Sequence, residues 1–405
     1  MVSRMKSVSL FTLLVATVVL AAAPSTSHAQ AGTAGMAAGG DTLRTALARA
    51  YLRVDRLTSA REFTGEQRAA INRAFDRTTL QFFGRQYEAA IGGLDSLLRA
   101  LGGDGGGTDM PPSGRERYID GRAPSAVASE LRQRLTRVDS TGALQQARVG
   151  AMSRIGLLTD TASTTRSIEM LINPRPHAAA VTREVDALLA GTNPYTGRSG
   201  DWWREIVTGT NTRVPVRLVA PPSAVSSAPS PAVPLVIALH GAGGDENMFV
   251  DAYGAGILTR LADSLGFLVV SPLANGFSAV AFDSVLAVVS REYRVDPNRV
   301  YVIGHSMGAG ITAALANARG DQLAAVAMLA GGAPIRAESA PPALFIGAQL
   351  DPIIRATMVK SSATASVVAG RTVEYRELAN EGHTLMVGLA VPDAIAWLLG
   401  HARAR

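Results

Sequence analysis

The sequence predicts an α/β chain, a mostly parallel sheet flanked by helices and preceded by an α-helical N-terminal region. Three observations carry this. From about Thr212 onward, short apolar runs alternate with helical stretches, the rhythm of strands joined by helices into a parallel sheet. One run, Arg299-Val300-Tyr301-Val302-Ile303, passes into Ala309-Gly310-Ile311-Thr312-Ala313-Ala314-Leu315 through Gly304-His305-Ser306-Met307-Gly308, a strand-to-helix turn with glycine two residues either side of a serine. Ahead of Thr212 the apolar residues instead recur at three- and four-residue steps, the period of amphipathic helices.

Taken in order, Met1 to Ala29 reads as a secretory signal peptide. Arg4 and Lys6 give the positive start, Val8 to Ala23 the apolar stretch, and Ser27-His28-Ala29 a small-x-small cleavage site. A secreted or periplasmic location is therefore expected. No cysteine follows the apolar stretch to carry a lipid, and no other stretch is long enough to span a bilayer. Residues 30–40, rich in Gly and Ala, are expected to form a disordered spacer.

The helical region is expected over 41–211. Leu43, Leu47, Ala50, Val54 and Leu57 mark a first stripe, and Thr64-Gly65-Glu66-Gln67 is a capping-box start for a second bearing Ile71, Phe75 and Phe82. Tyr87, Ile91, Leu94, Leu98 and Leu101 continue the pattern until Gly102 to Gly107 break it. Val127, Leu131, Leu135 and Val138 mark another helix, and Val181, Val185 and Leu188 one more. Such faces must be buried. Packing on one another or on the following domain is the simplest account, and a partner- or envelope-binding module is the alternative. Trp202-Trp203, near Tyr195, reads as junction packing, with stacking on a sugar or aromatic acyl group as the functional alternative.

The catalytic domain is expected over 212–405. Its strands are read at Val216 to Val219, Pro234 to Leu239, Phe267 to Ser271, Val300 to Gly304, Ala324 to Leu329, Ala343 to Gly347 and Thr372 to Leu378. Pro221 to Pro234 is a surface loop or linker, and the short stretch between Ala330 and Pro342 leaves no room for a large lid.

Composition narrows the chemistry. The chain has no cysteine, which removes disulfides, thiolate catalysis and cysteine metal sites together. Its net charge of +6 is carried almost wholly by arginine and becomes +4 (6 − 2) once Arg4 and Lys6 leave with the leader. Without a basic block or interleaved aromatic and basic residues, this is no nucleic-acid footprint.

The Gly-x-Ser-x-Gly turn is a nucleophile elbow, which holds the Ser306 hydroxyl clear of the backbone at a helix N-terminus. A serine needs a base. Of six histidines, His28 lies in the leader, His177 in the helical half, His240 at a strand end, His305 within the turn and His401 near the C-terminus. His383, in the loop after the last strand, is the candidate base. Asp351, in a turn after the strand Ala343 to Gly347, is the candidate acid that orients it, completing the order Ser, Asp, His. Glu381 competes for that role but is expected to point to solvent. Oxyanion donors are expected from the amides of Met307 and Ala242, with Gly241 as a further candidate, since His240-Gly241-Ala242-Gly243-Gly244 directly follows a buried strand.

On these residues the segment from about Thr212 to Leu399 resembles the α/β-hydrolase superfamily. Leu235 to Gly244, Asp296-Pro297-Asn298-Arg299-Val300-Tyr301 and the Gly-His-Ser-Met-Gly elbow are similar to the esterase branch, which includes polyhydroxybutyrate-depolymerase-like, feruloyl-esterase-like and dienelactone-hydrolase-like proteins. The resemblance implies a serine hydrolase acting on a small-molecule or polymer-linked carboxylic ester, with no metal or cofactor. The Asp-Pro-Asn-Arg-Val lead-in also occurs in prolyl-oligopeptidase-type serine peptidases, which form one alternative. An acyltransferase and a non-catalytic binding protein on the same fold are others. Pocket-wall residues and oligomeric state are not legible in the sequence.

Overall fold

Helices α1 (Ala34–Ser59), α2 (Gly65–Phe83), α3 (Tyr87–Ala100), α4 (Pro124–Leu135), α5 (Gln145–Leu157) and α6 (Pro174–Leu189) lead into a single eight-stranded sheet. The fold is seen in a computed structural model, which describes residues 34–103, 118–139, 142–159, 174–209, 211–225 and 232–404. The leader Met1 to Ala29 lies outside the described residues.

The strands are β1 (Gly200–Val207), β2 (Arg213–Ala220), β3 (Val233–Leu239), β4 (Leu268–Pro272), β5 (Val295–His305), β6 (Ala325–Leu329), β7 (Ala343–Ala348) and β8 (Val373–Leu378). They lie in the order β1-β2-β4-β3-β5-β6-β7-β8. From β4 to β8 neighbouring strands are parallel, and only β2 runs antiparallel, to β1 and to β4. Every residue of β3, β4, β6 and β7 is buried, which is why these strands read as unbroken apolar runs rather than alternating ones.

Both faces of the sheet are covered. Helices α7 (Tyr253–Leu265) and α11 (Met386–Leu399) bring Leu258, Ala262, Val387 and Val391 onto one face. Helices α8 (Ala279–Glu292), α9 (Met307–Arg319) and α10 (Ala356–Val368) bring Phe282, Val285, Ala313 and Val359 onto the other. This is the α/β-hydrolase architecture that the sequence predicts, a mostly parallel sheet between helical layers.

The helical region divides in two. Leu131, Leu135, Ile155, Val185 and Leu188 of α4, α5 and α6 join the second of these cores, along with Trp202 and Ile206 of β1. Helices α1, α2 and α3 make a cluster of their own from Val54, Ile71, Phe75, Leu94, Leu97 and Leu98, closed by Leu385 from just ahead of α11. That one residue locates the N-terminal helices at the end of the sheet where the His383 loop lies. The capping box at Thr64 forms, Thr64 Oγ1 accepting from the Gln67 N–H at 3.3 Å and Gln67 Oε1 from the Thr64 N–H at 2.9 Å.

Three boundaries differ from the expectation. Helix α1 already includes residues 34–40, so that part of the expected spacer is helical. Val233 already belongs to β3, and residues 222–225 form one helical turn. The sheet also begins at Gly200, ahead of Thr212, because β1 pairs with β2 along its whole length. Its pattern hides this. Arg204 is only 1% exposed, its guanidinium bound to both oxygens of Glu292 at 3.0 and 2.6 Å and lying 4.4 Å from the Tyr195 ring centroid. Trp202 and Trp203 are buried, Trp203 Nε1 donating to Glu246 Oε1 at 2.6 Å. The tryptophan pair therefore packs inside the fold instead of offering an exposed stacking surface.

Candidate active site

Ser306 stands between β5 and α9 at φ 54° and ψ −113°, a backbone region that costs a non-glycine residue about 1–3 kcal/mol. The flanking glycines are a matter of room. A Cβ on Gly304 would press into the backbone of Gly308, and a Cβ on Gly308 into the carbonyl of Leu239 at the end of β3. The Ser306 N–H donates to Leu329 O at 2.9 Å, which ties the turn to β6.

The structure brings Ser306, His383 and Asp351 together from three separate loops. Ser306 Oγ lies 2.9 Å from His383 Nε2, and His383 Nδ1 lies 2.7 Å from Asp351 Oδ2. Both His383 and Asp351 are buried. Asp351 Oδ1 accepts the N–H groups of Ile353 and Ile354, each at 2.8 Å, so the carboxylate cannot rotate freely. A carboxylate only accepts, which puts the imidazole hydrogen on Nδ1 and leaves Nε2 to accept from the serine hydroxyl.

Glu381 does not point to solvent. It is 1% exposed and bound by Arg68 of α2, whose Nε and Nη2 reach its two oxygens, the second at 3.2 Å. Asn72 Nδ2 adds a bond to Glu381 Oε2 at 3.1 Å and another to the Asn380 carbonyl at 3.0 Å. The expectation fails because α2 covers a loop that in sequence looks like open surface.

The three candidate oxyanion donors part company. The N–H groups of Ala242 and Met307 engage no backbone acceptor among the described residues, and Met307 opens α9, where the helix dipole favours negative charge. The Gly241 N–H is occupied, donating to Tyr253 Oη at 3.3 Å. His240 shapes this turn from within. Its Nδ1 donates to the Gly241 carbonyl at 2.7 Å and its Nε2 accepts from the Ala274 N–H at 2.9 Å, while burial pushes its pKa down to about 4.

His305 links the two loops. Its Nε2 donates to the His383 carbonyl at 2.9 Å, so its Nδ1 must accept, and it does so from the Tyr253 hydroxyl at 2.8 Å. Burial holds His305 well below the ordinary histidine value, the neighbouring His383 adding to the effect, and the neutral ring suits this arrangement. Tyr253 itself sits in a turn of four positive-φ residues, Tyr253 to Gly256. Asp55 of α1 holds that turn by accepting the N–H groups of Gly254 at 3.0 Å and Ala255 at 2.7 Å.

Helix α2 reaches the site twice. Asp76 Oδ2 accepts the backbone N–H of His383 at 3.0 Å. At the far end of the helix, Phe82 packs on Gly243 so closely that a Cβ there would collide with its ring. Phe82 also meets Phe83 and Tyr87 at centroid distances of 5.4 and 6.0 Å. Sequence reading finds the apolar stripe of α2 and passes over Arg68, Asn72 and Asp76. Their four-residue spacing on one face was the available signal.

Chemically, the site offers a hydroxyl nucleophile, an imidazole within reach of its proton, a buried carboxylate behind that imidazole and two backbone donors, Met307 at the start of α9 and Ala242 in the turn after β3. No cluster of three or more metal-ligating side chains occurs among the described residues.

No protein-family model matches the chain, and no curated protein matches it. Among solved structures it is similar to a thermostable esterase at 23% identity and a TM-score of 0.41, over 50% of this chain and 63% of that one. It is similar to a ferulic acid esterase at 14% identity and TM-score 0.42, over 50% and 98% of the respective chains. An S-formylglutathione hydrolase from Staphylococcus aureus matches at 14% identity and TM-score 0.40, over 49% and 98%. The match to the thermostable esterase spans less than two thirds of that protein's length. The functional reading rests on the geometry of this chain.

Proposed function

We propose that the chain is an exported serine hydrolase that cleaves carboxylic esters through an acyl-enzyme intermediate. One observation carries the reading, the unbroken hydrogen-bond line from Ser306 Oγ through His383 to Asp351, with distances of 2.9 and 2.7 Å. His383 Nε2 takes the hydroxyl proton as Ser306 Oγ attacks the ester carbonyl carbon. Asp351 fixes the imidazole tautomer and stabilises the imidazolium. The amides of Met307 and Ala242 hold the tetrahedral oxyanion, a contribution for which loss of one donor typically costs about 100- to 1,000-fold in rate. His383 then protonates the leaving alcohol, and water, activated by the same imidazole, releases the acid and frees Ser306. The substrate is a small-molecule or polymer-linked ester.

The test combines an active-site-directed fluorophosphonate with p-nitrophenyl esters of graded acyl length, using Ser306→Ala as blank. Labelling and turnover in the wild type, both lost in the variant, are expected. Failure of a folded wild type to label would favour a binding protein, and turnover of aminoacyl-proline amides in preference to esters would favour a peptidase. Export rests on the leader-like Met1 to Ala29. It predicts that the mature N-terminus, read by mass spectrometry of protein from the extracytoplasmic fraction, falls just after Ala29; an intact Met1 there would refute cleavage.

A further inference from the structure

We infer that Asp76 is a positioning residue for His383, so that the N-terminal helices are part of the active site and not an appendage to it. The inference rests on the hydrolase reading and adds to it a carboxylate from outside the sheet domain.

His383 is held at three points. Its imidazole is fixed by Asp351, its carbonyl accepts from His305 Nε2, and its N–H donates to Asp76 Oδ2. Both peptide groups and the ring are thereby fixed by three different side chains. Two of these come from the sheet domain, and the third comes from α2. The neighbouring residues are gripped by the same helix face: Arg68 and Asn72 bind Glu381, and Asn72 binds the Asn380 carbonyl. Gly382 completes the fit, since a Cβ there would overlap Asp76 Oδ2 and stand 3.1 Å from Asn72 Oδ1. Helix α2 thus helps to hold the loop where Nε2 meets the serine, and a misplacement of about 1 Å can cost on the order of 100-fold in rate.

Stability alone does not account for a carboxylate at this place. Asp76 is 2% exposed, and its Oδ1 has no hydrogen-bond partner among the described residues. Burial raises its pKa to about 6, against the pull of the His383 N–H and ring. The N–H groups of His383 and Thr384 favour the negative charge, and the imidazolium that forms during turnover favours it further. The charged and titratable groups facing that ring are Asp351, Asp76 and the neutral His305, whose ring lies 4.9 Å away, while the charge of Glu381 is met by Arg68. Asp76 is therefore the second anion available to the imidazolium besides Asp351.

The experiment compares full-length wild type, Asp76→Asn and Asp76→Ala, with folding checked by far-UV circular dichroism. The readouts are kcat, KM and the pH profile for p-nitrophenyl acetate, with fluorophosphonate labelling rates. Asp76→Ala is expected to lower kcat ~10- to 100-fold while KM changes less than about threefold. Asp76→Asn keeps an acceptor oxygen and is expected to restore most of kcat. It lacks the charge, so the acid limb of its kcat/KM profile is expected to move down by about half a pH unit or more. Wild-type kcat and acid limb in folded Asp76→Ala would overturn the inference. Equal losses in both variants with an unmoved limb would also overturn it, leaving only packing. Should Asp76→Ala not fold, an unmoved limb in Asp76→Asn is the overturning result. A wild type that neither labels nor turns over ester sinks the hydrolase reading itself, whereas an active wild type matched by both variants sinks only this inference.

Discussion

Replacing Asp76 by asparagine should shift stability in the variant's favour, relative to the wild type, as pH rises, and the size of the effect follows from the burial of the carboxyl. Its pKa is raised from the ordinary 3.8 to about 6, burial being the largest cause. The folded state therefore binds a proton more readily than the unfolded one between those two values. Where the native state holds more protons, stability falls as pH rises. The wild type thus carries a penalty that is absent below pH 3.8, grows through the window and is complete above about 6. Its full size is about 3 kcal/mol, of which roughly half is in place at pH 5. Asparagine does not titrate, so its own constant gain or loss from altered hydrogen bonding cancels when two pH values are compared. Urea unfolding of both proteins at pH 5 and pH 8, followed by far-UV circular dichroism, should show Asp76→Asn gaining on the wild type by about 1–2 kcal/mol toward pH 8. A difference between the two proteins that is flat across that range would refute the reasoning, since it would mean the carboxyl titrates alike in both states.

Ser306→Ala should abolish ester turnover with the unfolding transition retained, as measured by p-nitrophenyl ester kinetics beside thermal denaturation. Asp351→Asn should cost on the order of 10,000-fold in kcat if this carboxylate sets the imidazole tautomer; near-normal kinetics would give that role to another group. Tyr253→Phe removes the donor to His305 Nδ1 and the acceptor of the Gly241 N–H, so a loss of about 1–3 kcal/mol in urea unfolding is expected. Arg68→Met leaves the buried Glu381 carboxylate without its cation, which should cost about 3 kcal/mol. Adding Glu381→Gln should recover part of that loss in a double-mutant cycle.

Much of the sheet is legible because its strands are buried on both faces, so β3, β4, β6 and β7 stand out as apolar runs. The elbow is legible for a different reason: its requirements are local, and Gly304, Ser306 and Gly308 carry them in five residues. His383 and Asp351 follow from chain order and from lying in loops after strands. What escapes reading is what depends on distant partners. Strand β1 is obscured by Arg204, whose charge is matched by Glu292 far along the chain, and hydropathy cannot register that match. Glu381 looks solvent-facing because nothing near it in sequence announces Arg68. The face of α2 bearing Arg68, Asn72 and Asp76 looks like the wet side of an amphipathic helix, since polar residues at helical spacing usually are. Tyr253 and Asp55 are hidden because each depends on a distant partner, one sitting in a turn that the other holds from α1.

The bond between Asp76 and the His383 N–H joins positions 307 residues apart, and this bears on how the chain can be recombined. A chimera that takes its leading helices from one parent and its sheet from another inherits the acceptor and the donor from different lineages. Crossovers placed at the apparent seam near Thr212 would split them even when each half folds well. Shuffled libraries should therefore keep 68–76 and 380–383 as one inherited block, and progeny that break it should accumulate as well-expressed but sluggish proteins.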